Sequence, residues 1–321
     1  MITDSLLDLI GNTPLLRLSR FDSGPCELLL KLENHNPGGS IKDRVALSMI
    51  SAAERSGALR PGGTLIEASA GNTGLGLALI AAHRGYRLIL VVPDKMSGEK
   101  IAHLRALDVD VRLTRSDVGK GHPDYYQDYA RRLAEQTPGS LYIDQFANPA
   151  NPAAHEETTA RELWRQTGGR IDAIVVGVGS GGTLHGLHRF FSRYSPHTRF
   201  ILADPCGSIL ADAVQHGRHR AAGSWLVEGI GEDFIPPLMK TEAISQVYRI
   251  PDREAIATAR ALLSREGVPA GSSTGTLLAA ALRYCQAQPR AQRVVTFACD
   301  SGNKYLSKMF NPQWLSQNQL I

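Results

Sequence analysis

Cysteine is scarce in this chain. Four residues, Cys26, Cys206, Cys285 and Cys299, are scattered over 321 positions with no C-x-x-C and no Cys/His ligand spacing. That argues against a disulfide framework and against a structural zinc site. His35, His122, His155 and His185 show no metal spacing either and read as packing or surface residues. There is no run of five like charges, and a net charge of +4 gives nucleic-acid binding little support. No uninterrupted apolar run is long enough to span a bilayer, so no membrane association is expected. The start, Met1-Ile-Thr-Asp-Ser, lacks a basic region followed by an apolar core, so no signal peptide is expected. Short-period repeats and low-complexity tracts are missing as well. A reducing cytoplasm is the expected compartment.

What remains is ordinary globular composition, 43% hydrophobic and 21% charged, in a chain long enough for two α/β lobes or one large one. Pattern reading places strands at 27–33, 64–69, 87–92, 109–113, 141–143, 171–176, 199–203 and 293–298. Helices are expected at 45–55, 75–84, 97–107, 123–136, 153–166, 184–194, 252–266 and 274–286. Tyr125, Tyr126 and Tyr129 lie at helical spacing and read as one packed face. Residues 10–16 form a turn leading into a short extended piece, and 207–237 is loop-rich. Asn148-Pro-Ala-Asn-Pro152 carries two Asn-Pro dipeptides, which mark a loop and an expected crossing between lobes. Strand and helix alternating in this way predict parallel sheets covered on both faces.

The stretch Asn36-Pro-Gly-Gly-Ser-Ile-Lys42-Asp-Arg44 joins the first strand to the first helix. Ser40 followed three positions later by Asp43 is a capping-box pattern. Lys42 then falls in the first helical turn, where the positive end of the helix dipole disfavours an ammonium. A lysine so placed suits an amine nucleophile that forms Schiff bases, although an ordinary surface lysine fits this stretch equally well. Three further loops lie where open α/β sheets gather ligands, at the carboxyl ends of strands. Gly179-Ser-Gly-Gly-Thr183 opens a helix and suits a single phosphate monoester, or is simply a tight turn. Ser69-Ala-Gly-Asn-Thr73 offers N–H groups, an amide and a hydroxyl for a carboxylate, or caps a helix. In Ala270-Gly-Ser-Ser-Thr-Gly275, Ser273 either points its hydroxyl at a ligand or caps the helix that follows.

Gly11-Asn-Thr-Pro14, Pro37-Gly-Gly-Ser-Ile-Lys42-Asp-Arg44, Ala70-Gly-Asn-Thr-Gly74, Gly179-Ser-Gly-Gly-Thr183 and Gly229-Ile-Gly231 occur in one order over nearly the whole chain. In this the sequence resembles the fold-type II pyridoxal-phosphate (PLP) enzymes, specifically the cysteine synthase and cystathionine β-synthase family. The resemblance implies a tryptophan-synthase-β-like fold of two parallel-sheet α/β lobes with the cofactor between them. The smaller, mobile lobe is expected at 45–147, and the larger, PLP-binding lobe at 1–44 and 148–321. By the same resemblance Lys42 is the lysine that holds the cofactor and moves the α-proton. Asn72 bonds its phenolic oxygen, Gly179, Ser180, Gly181, Gly182 and Thr183 cradle its phosphate, and Ser273 faces the pyridine nitrogen. Ser69, Ala70, Gly71, Asn72 and Thr73, with Gln145, hold the substrate α-carboxylate. A serine hydroxyl cannot keep a pyridine protonated as a carboxylate can, which favours quick β-elimination over a long-lived carbanion.

The implied reaction is β-replacement on serine or O-acetylserine through an aminoacrylate, with a thiol as acceptor. Val227-Glu-Gly-Ile-Gly-Glu-Asp-Phe-Ile-Pro236 looks more like the cystathionine branch, where homocysteine is the acceptor, and Asp144–Asn148 and Tyr305–Trp314 lean the same way. Glu228, beside Gly229, and Asp233 have the charge to bind the amino group of an amino-acid thiol. They also read as solvated loop charges. The alternatives are a cysteine synthase using sulfide, a non-catalytic binding protein retaining the fold and, more distantly, a plain nucleotide-binding domain. Relatives usually show Thr-Ser-Gly-Asn where this chain has Ser69-Ala-Gly-Asn, which bears on serine against O-acetylserine as donor. Haem sensing and S-adenosylmethionine activation are not expected, because neither the haem-bearing extension nor the regulatory domains of some relatives are recognisable. A homodimer is implied.

Overall fold

The computed structural model describes residues 2–69, 71–94, 96, 98–119, 121–218 and 221–321, with the side chain of residue 99 outside that description. In chain order the strands are β1 (Leu15–Arg17), β2 (Glu27–Lys31), β3 (Thr64–Ala68), β4 (Arg87–Pro93), β5 (Asp110–Thr114) and β6 (Ser140–Tyr142). They continue as β7 (Ala173–Val176), β8 (Arg199–Pro205), β9 (Ile244–Ile250) and β10 (Arg293–Phe297). Two compact units emerge, one comprising the stretch up to Ile10 with Asn36–Ala154, the other Gly11–His35 with His155–Ile321.

The first unit holds a sheet in the order β5-β4-β3-β6, parallel throughout. All five residues of β3 are buried, as a central parallel strand covered on both faces requires. The unit's helices are α1 (Lys42–Arg55), α2 (Asn72–Arg84), α3 (Gly98–Arg105), α4 (Tyr126–Gln136) and α5 (Ala150–Ala154). Val45, Ala46, Met49 and Ile50 of α1 share one apolar core with Leu75, Leu77 and Ala78 of α2. Tyr126 and Tyr129 of α4 pack with Ile66, Ala68 and Val91. The Ser48 hydroxyl of α1 donates to the Ala150 carbonyl at 2.8 Å. The first unit thus also takes in the stretch up to Ile10, 36–44 and 148–154, which the sequence reading groups with the larger lobe.

The second unit carries the order β1-β2-β10-β7-β8-β9, in which β1 alone is antiparallel to its neighbour. Its helices are α6 (Ala160–Thr167), α7 (Gly182–Tyr194), α8 (Leu210–His216), α9 (Asp252–Glu266), α10 (Ser272–Gln286) and α11 (Pro312–Gln317).

Two expectations are corrected. Asn148–Pro152 is not simply a loop, because α5 begins at Ala150. Asn148 Oδ1 accepts the Ala150 N–H at 3.0 Å, and Pro152 falls in the first turn, where no intrahelical donor is needed. The helix expected at 153–166 is interrupted by a π turn at His155–Thr159. The sequence reading had no strand at β9. This edge strand is only half buried and carries Ser245, Gln246 and Arg249, so it lacks the apolar run that marks the inner strands.

Candidate functional site

The first unit gathers Lys42, Ser69, Gly71, Asn72, Thr73 and Gln145; Ala70 lies outside the described residues. Helix α1 starts at Lys42, whose N–H donates to Ser40 Oγ at 3.3 Å. Asp43 reaches back, but to the Gly38 N–H at 2.6 Å rather than to Ser40 itself. The expected capping box is not what starts the helix: the N-cap position is Ile41, which makes no side-chain cap bond, and Asp43 instead folds the Pro-Gly-Gly turn onto the helix start. Lys42 is half-buried.

Beyond β3 the Ser69 hydroxyl accepts from the N–H groups of Gly71 at 3.3 Å and Gly74 at 3.2 Å, setting the entry to α2. Asn72 and Thr73 are the first two residues of that helix. Thr73 donates its hydroxyl to Gln145 Oε1 at 2.7 Å, and Asn151 Nδ2 donates to the Gln145 carbonyl at 2.7 Å. Ser69, Thr73 and Gln145 are all buried. Beneath them stands Glu67, 1% exposed. Its Oε1 accepts from Ala68 N–H at 3.0 Å and its Oε2 from Gln145 N–H at 3.3 Å. Burial pushes this carboxyl up to about 8, with the charge of Asp144 adding to the effect.

The second unit gathers Gly179–Thr183, Glu228, Gly229 and Ser273. A Cβ at Gly179 would meet the Gly229 carbonyl at 2.7 Å. Gly181 caps α7 at φ +87°, and a Cβ there would lie 2.7 Å from Met239 N. Both positions therefore need glycine. The first intrahelical bond of α7 is His185 N–H to the Gly181 carbonyl, so the N–H groups of Gly182, Thr183 and Leu184 have no helical acceptor. Thr183 Oγ1 lies 3.2 Å from His155 Nε2, whose Nδ1 lies 3.0 Å from Thr159 Oγ1. His155 is fully buried, with a hydroxyl within hydrogen-bond distance of each ring nitrogen. Sequence spacing gave no sign of this link, because Thr183 sits on another helix.

At the start of α10, Ser272 Oγ accepts the Glu228 N–H at 3.0 Å and Thr274 Oγ1 accepts the Cys299 N–H at 3.0 Å. Ser273, between them, is 4% exposed, and its hydroxyl meets no partner among the described residues. Glu228 is paired with Lys308, Oε1 to Nζ 2.6 Å, while Asp233 is exposed. Among the described residues no cluster of three metal-ligating side chains occurs, and no helix is long and apolar enough to cross a membrane.

These groups fit pyridoxal phosphate. The glycine loop offers N–H donors without a helical acceptor at a helix start, which suits a phosphate dianion. Ser273 offers a buried neutral hydroxyl, which suits a ring nitrogen.

The same group emerges from known proteins. The cystathionine beta-synthase of Oryctolagus cuniculus is 41% identical over 323 residues, covering 100% of this chain and 58% of that protein. Cysteine synthase 1 of Neurospora crassa is 38% identical over 326 residues, covering 100% of this chain and 86% of that protein. The crystal structure of an O-ureido-L-serine synthase superposes with a TM-score of 0.89 at 33% identity, covering 98% of this chain and 100% of that one. The chain spans about three fifths of the length of the cystathionine beta-synthases it matches. A family model described as "Pyridoxal-phosphate dependent enzyme" matches residues 6–300, and the chain belongs to that family.

Proposed function

We propose that the chain catalyses β-replacement on serine or O-acetylserine with homocysteine as acceptor, giving cystathionine. The observation that carries this reading is the identity of about 40% to cystathionine beta-synthases along 98–100% of the chain. The buried Ser273 hydroxyl supports it, since a neutral partner at the ring nitrogen suits elimination at the β-carbon.

Bound here, pyridoxal phosphate would supply the aldehyde that takes the substrate amine and the ring that draws electron density from Cα. Gly179–Thr183 would hold the phosphate, Ser273 the pyridine nitrogen and Asn72 the phenolic oxygen. The Ser69, Gly71 and Thr73 segment with Gln145 would orient the donor carboxylate, which fixes the Cα–H bond relative to the base. Lys42 Nζ would take that proton and return it to Cα once the thiol has added. Excluding water around the buried Ser69 and Thr73 would guard the reactive carbon against hydrolysis.

A second reading, cysteine synthase using sulfide, is favoured by the Glu228–Lys308 pair. With its charge neutralised by Lys308, Glu228 offers little to the amino group of homocysteine, which sulfide lacks. Homodimerisation and a cytoplasmic location go with either reading. Incubating the purified, PLP-loaded chain with each donor and each thiol, and identifying products by mass, decides between them. Cystathionine as the main product supports the first reading; far better use of sulfide than of homocysteine overturns it. A protein that stays colourless with PLP overturns both.

A further inference from the structure

Glu67 closes a ring of contacts. Its two oxygens each accept one amide, from Ala68 just ahead of the Ser69 loop and from Gln145. Gln145 in turn takes the Thr73 hydroxyl proton, and Thr73 belongs to that loop. The turn that aims the Gln145 N–H inward is bought with strain, since Asp144 holds φ +52°, a left-handed conformation uncommon outside glycine. Among the described residues no cation is hydrogen-bonded to Glu67, so burial is offset only by backbone amides, those of Ala68, Gln145 and Asp144.

We propose that Glu67 is the positioning residue of the donor-carboxylate site: its carboxyl ties Gln145 to the loop after β3, and the site binds an anionic donor fully only while that carboxyl carries a proton. The inference rests on reading Ser69–Thr73 and Gln145 as that site. An ionised Glu67 would place a negative charge directly beneath groups meant to receive another. By linkage, a bound carboxylate and the Glu67 proton strengthen one another equally.

Burial holds Glu67 protonated up to about pH 8, so the change falls within the neutral-to-alkaline range. The groups around it do not cancel this. Asp144, in the turn after β6, raises it further, and Asp144 is 3.7 Å from Arg131 of α4. Tyr142 on β6 feels the charges of Glu67, Asp144, Arg131 and Asp128, and its own hydroxyl is pushed up. On β4 the ionisable residue is Arg87, paired with Thr64 at the opposite end of β3 from Glu67. On α2, His83 and Arg84 lie in the last turn. Helix α1, packed on α2, has Lys42, Asp43 and Arg44 in its first turn.

The test compares the full PLP-loaded chain with Glu67→Gln, which cannot ionise and keeps one of the two acceptor oxygens. Calorimetric binding of L-alanine, an amino acid with no β-leaving group, is followed from about pH 6.5 to about pH 9.5. Wild-type affinity should fall about tenfold further over that range than affinity of the variant. Thermal unfolding gives a readout independent of the cofactor: wild-type stability should decline across the same range relative to Glu67→Gln. Slow hydrogen exchange at the Ala68 and Gln145 amides should be lost in Glu67→Ala, while Glu67→Gln, with one acceptor oxygen, should keep only one of the two protected. Parallel affinity curves, or parallel unfolding curves, overturn the proposal. If neither protein binds PLP or L-alanine, the proposed function fails, and the Glu67 assignment is then decided by the unfolding curves and the Ala68 and Gln145 amides.

Discussion

Lys31 Nζ and Glu162 Oε2 stand 2.7 Å apart with side-chain exposures of 0% and 7%. Lys31 also donates to the Thr13 carbonyl at 2.6 Å and to Gln166 Oε1 at 3.0 Å, while Glu162 Oε1 accepts the Asn12 N–H at 2.8 Å. The Gly11–Pro14 motif is therefore an anchored turn, held to β2 and α6 by a buried charge pair. Removing one partner strands the other in low dielectric. Lys31→Met should cost about 3–5 kcal/mol, and adding Glu162→Leu should restore much of that. Urea unfolding of the two variants is the measurement; a single variant as stable as wild type would refute the pair's role.

Asp204 supplies a pH prediction. It ends β8, is 1% exposed, and accepts the Ala211 N–H at 2.8 Å with Oδ2, while Oδ1 meets no partner. Burial pushes it up to about 6 against the pull of Ser208 and Ala211. The native carboxyl thus keeps its proton where the unfolded one has lost it. Its contribution to stability is complete below the unfolded value near 4 and is lost as pH rises through about 6. Asp204→Asn, which never ionises, should gain on the order of 2 kcal/mol over wild type at pH 7 and little at pH 4. Equal gains at the two pH values would show that ionisation is not the cause.

Legibility in the sequence followed the strength of local pattern. Inner strands such as β3 and β7, buried along their whole length, were readable as apolar runs. The edge strand β9, with no such run, was not. The Lys42 turn was readable because Ser40 and Asp43 are neighbours in sequence. Glu67 and His155 were not, because what defines them is a partner elsewhere: Gln145 lies 78 residues beyond Glu67, and Thr183 lies 28 beyond His155. A lone glutamate in an apolar strand was the available hint for the first. The Asn-Pro dipeptides misled because Asn148 caps a helix that tolerates Pro152 in its first turn.

The His155–Thr183 contact makes a prediction about the cofactor phosphate. Thr183 has one hydroxyl proton. If Thr159 donates to Nδ1, the Nε2–H of His155 donates to Thr183 Oγ1, which leaves the threonine proton for an anion. His155→Phe, filling the space without an N–H, should weaken PLP retention about tenfold, and Thr183→Val similarly. Because the two act on one hydrogen bond, the double variant should be little worse than either single one. Fluorescence titration of the apo forms with PLP measures this. Fully additive losses would show that the histidine does not work through Thr183.

Thr73 and Gln145 offer the sharpest separation of binding from chemistry. In the structure the Thr73 proton is spent on Gln145 Oε1 at 2.7 Å, which leaves the Gln145 Nε2 hydrogens as donors. A donor carboxylate would thus be met by groups that Thr73 orients, and contacts to a carboxylate that does not react are equal in ground and transition states. Thr73→Val keeps the shape and releases the amide to rotate. It should raise the KM for serine or O-acetylserine about tenfold, about 1.4 kcal/mol, with kcat within about threefold of wild type. Gln145→Glu should do worse, because it sets a second carboxylate against the incoming one. Steady-state kinetics with the acceptor saturating separates the parameters. A Thr73→Val variant that loses kcat while its KM is unchanged would place Thr73 at the reacting carbon instead of at the carboxylate.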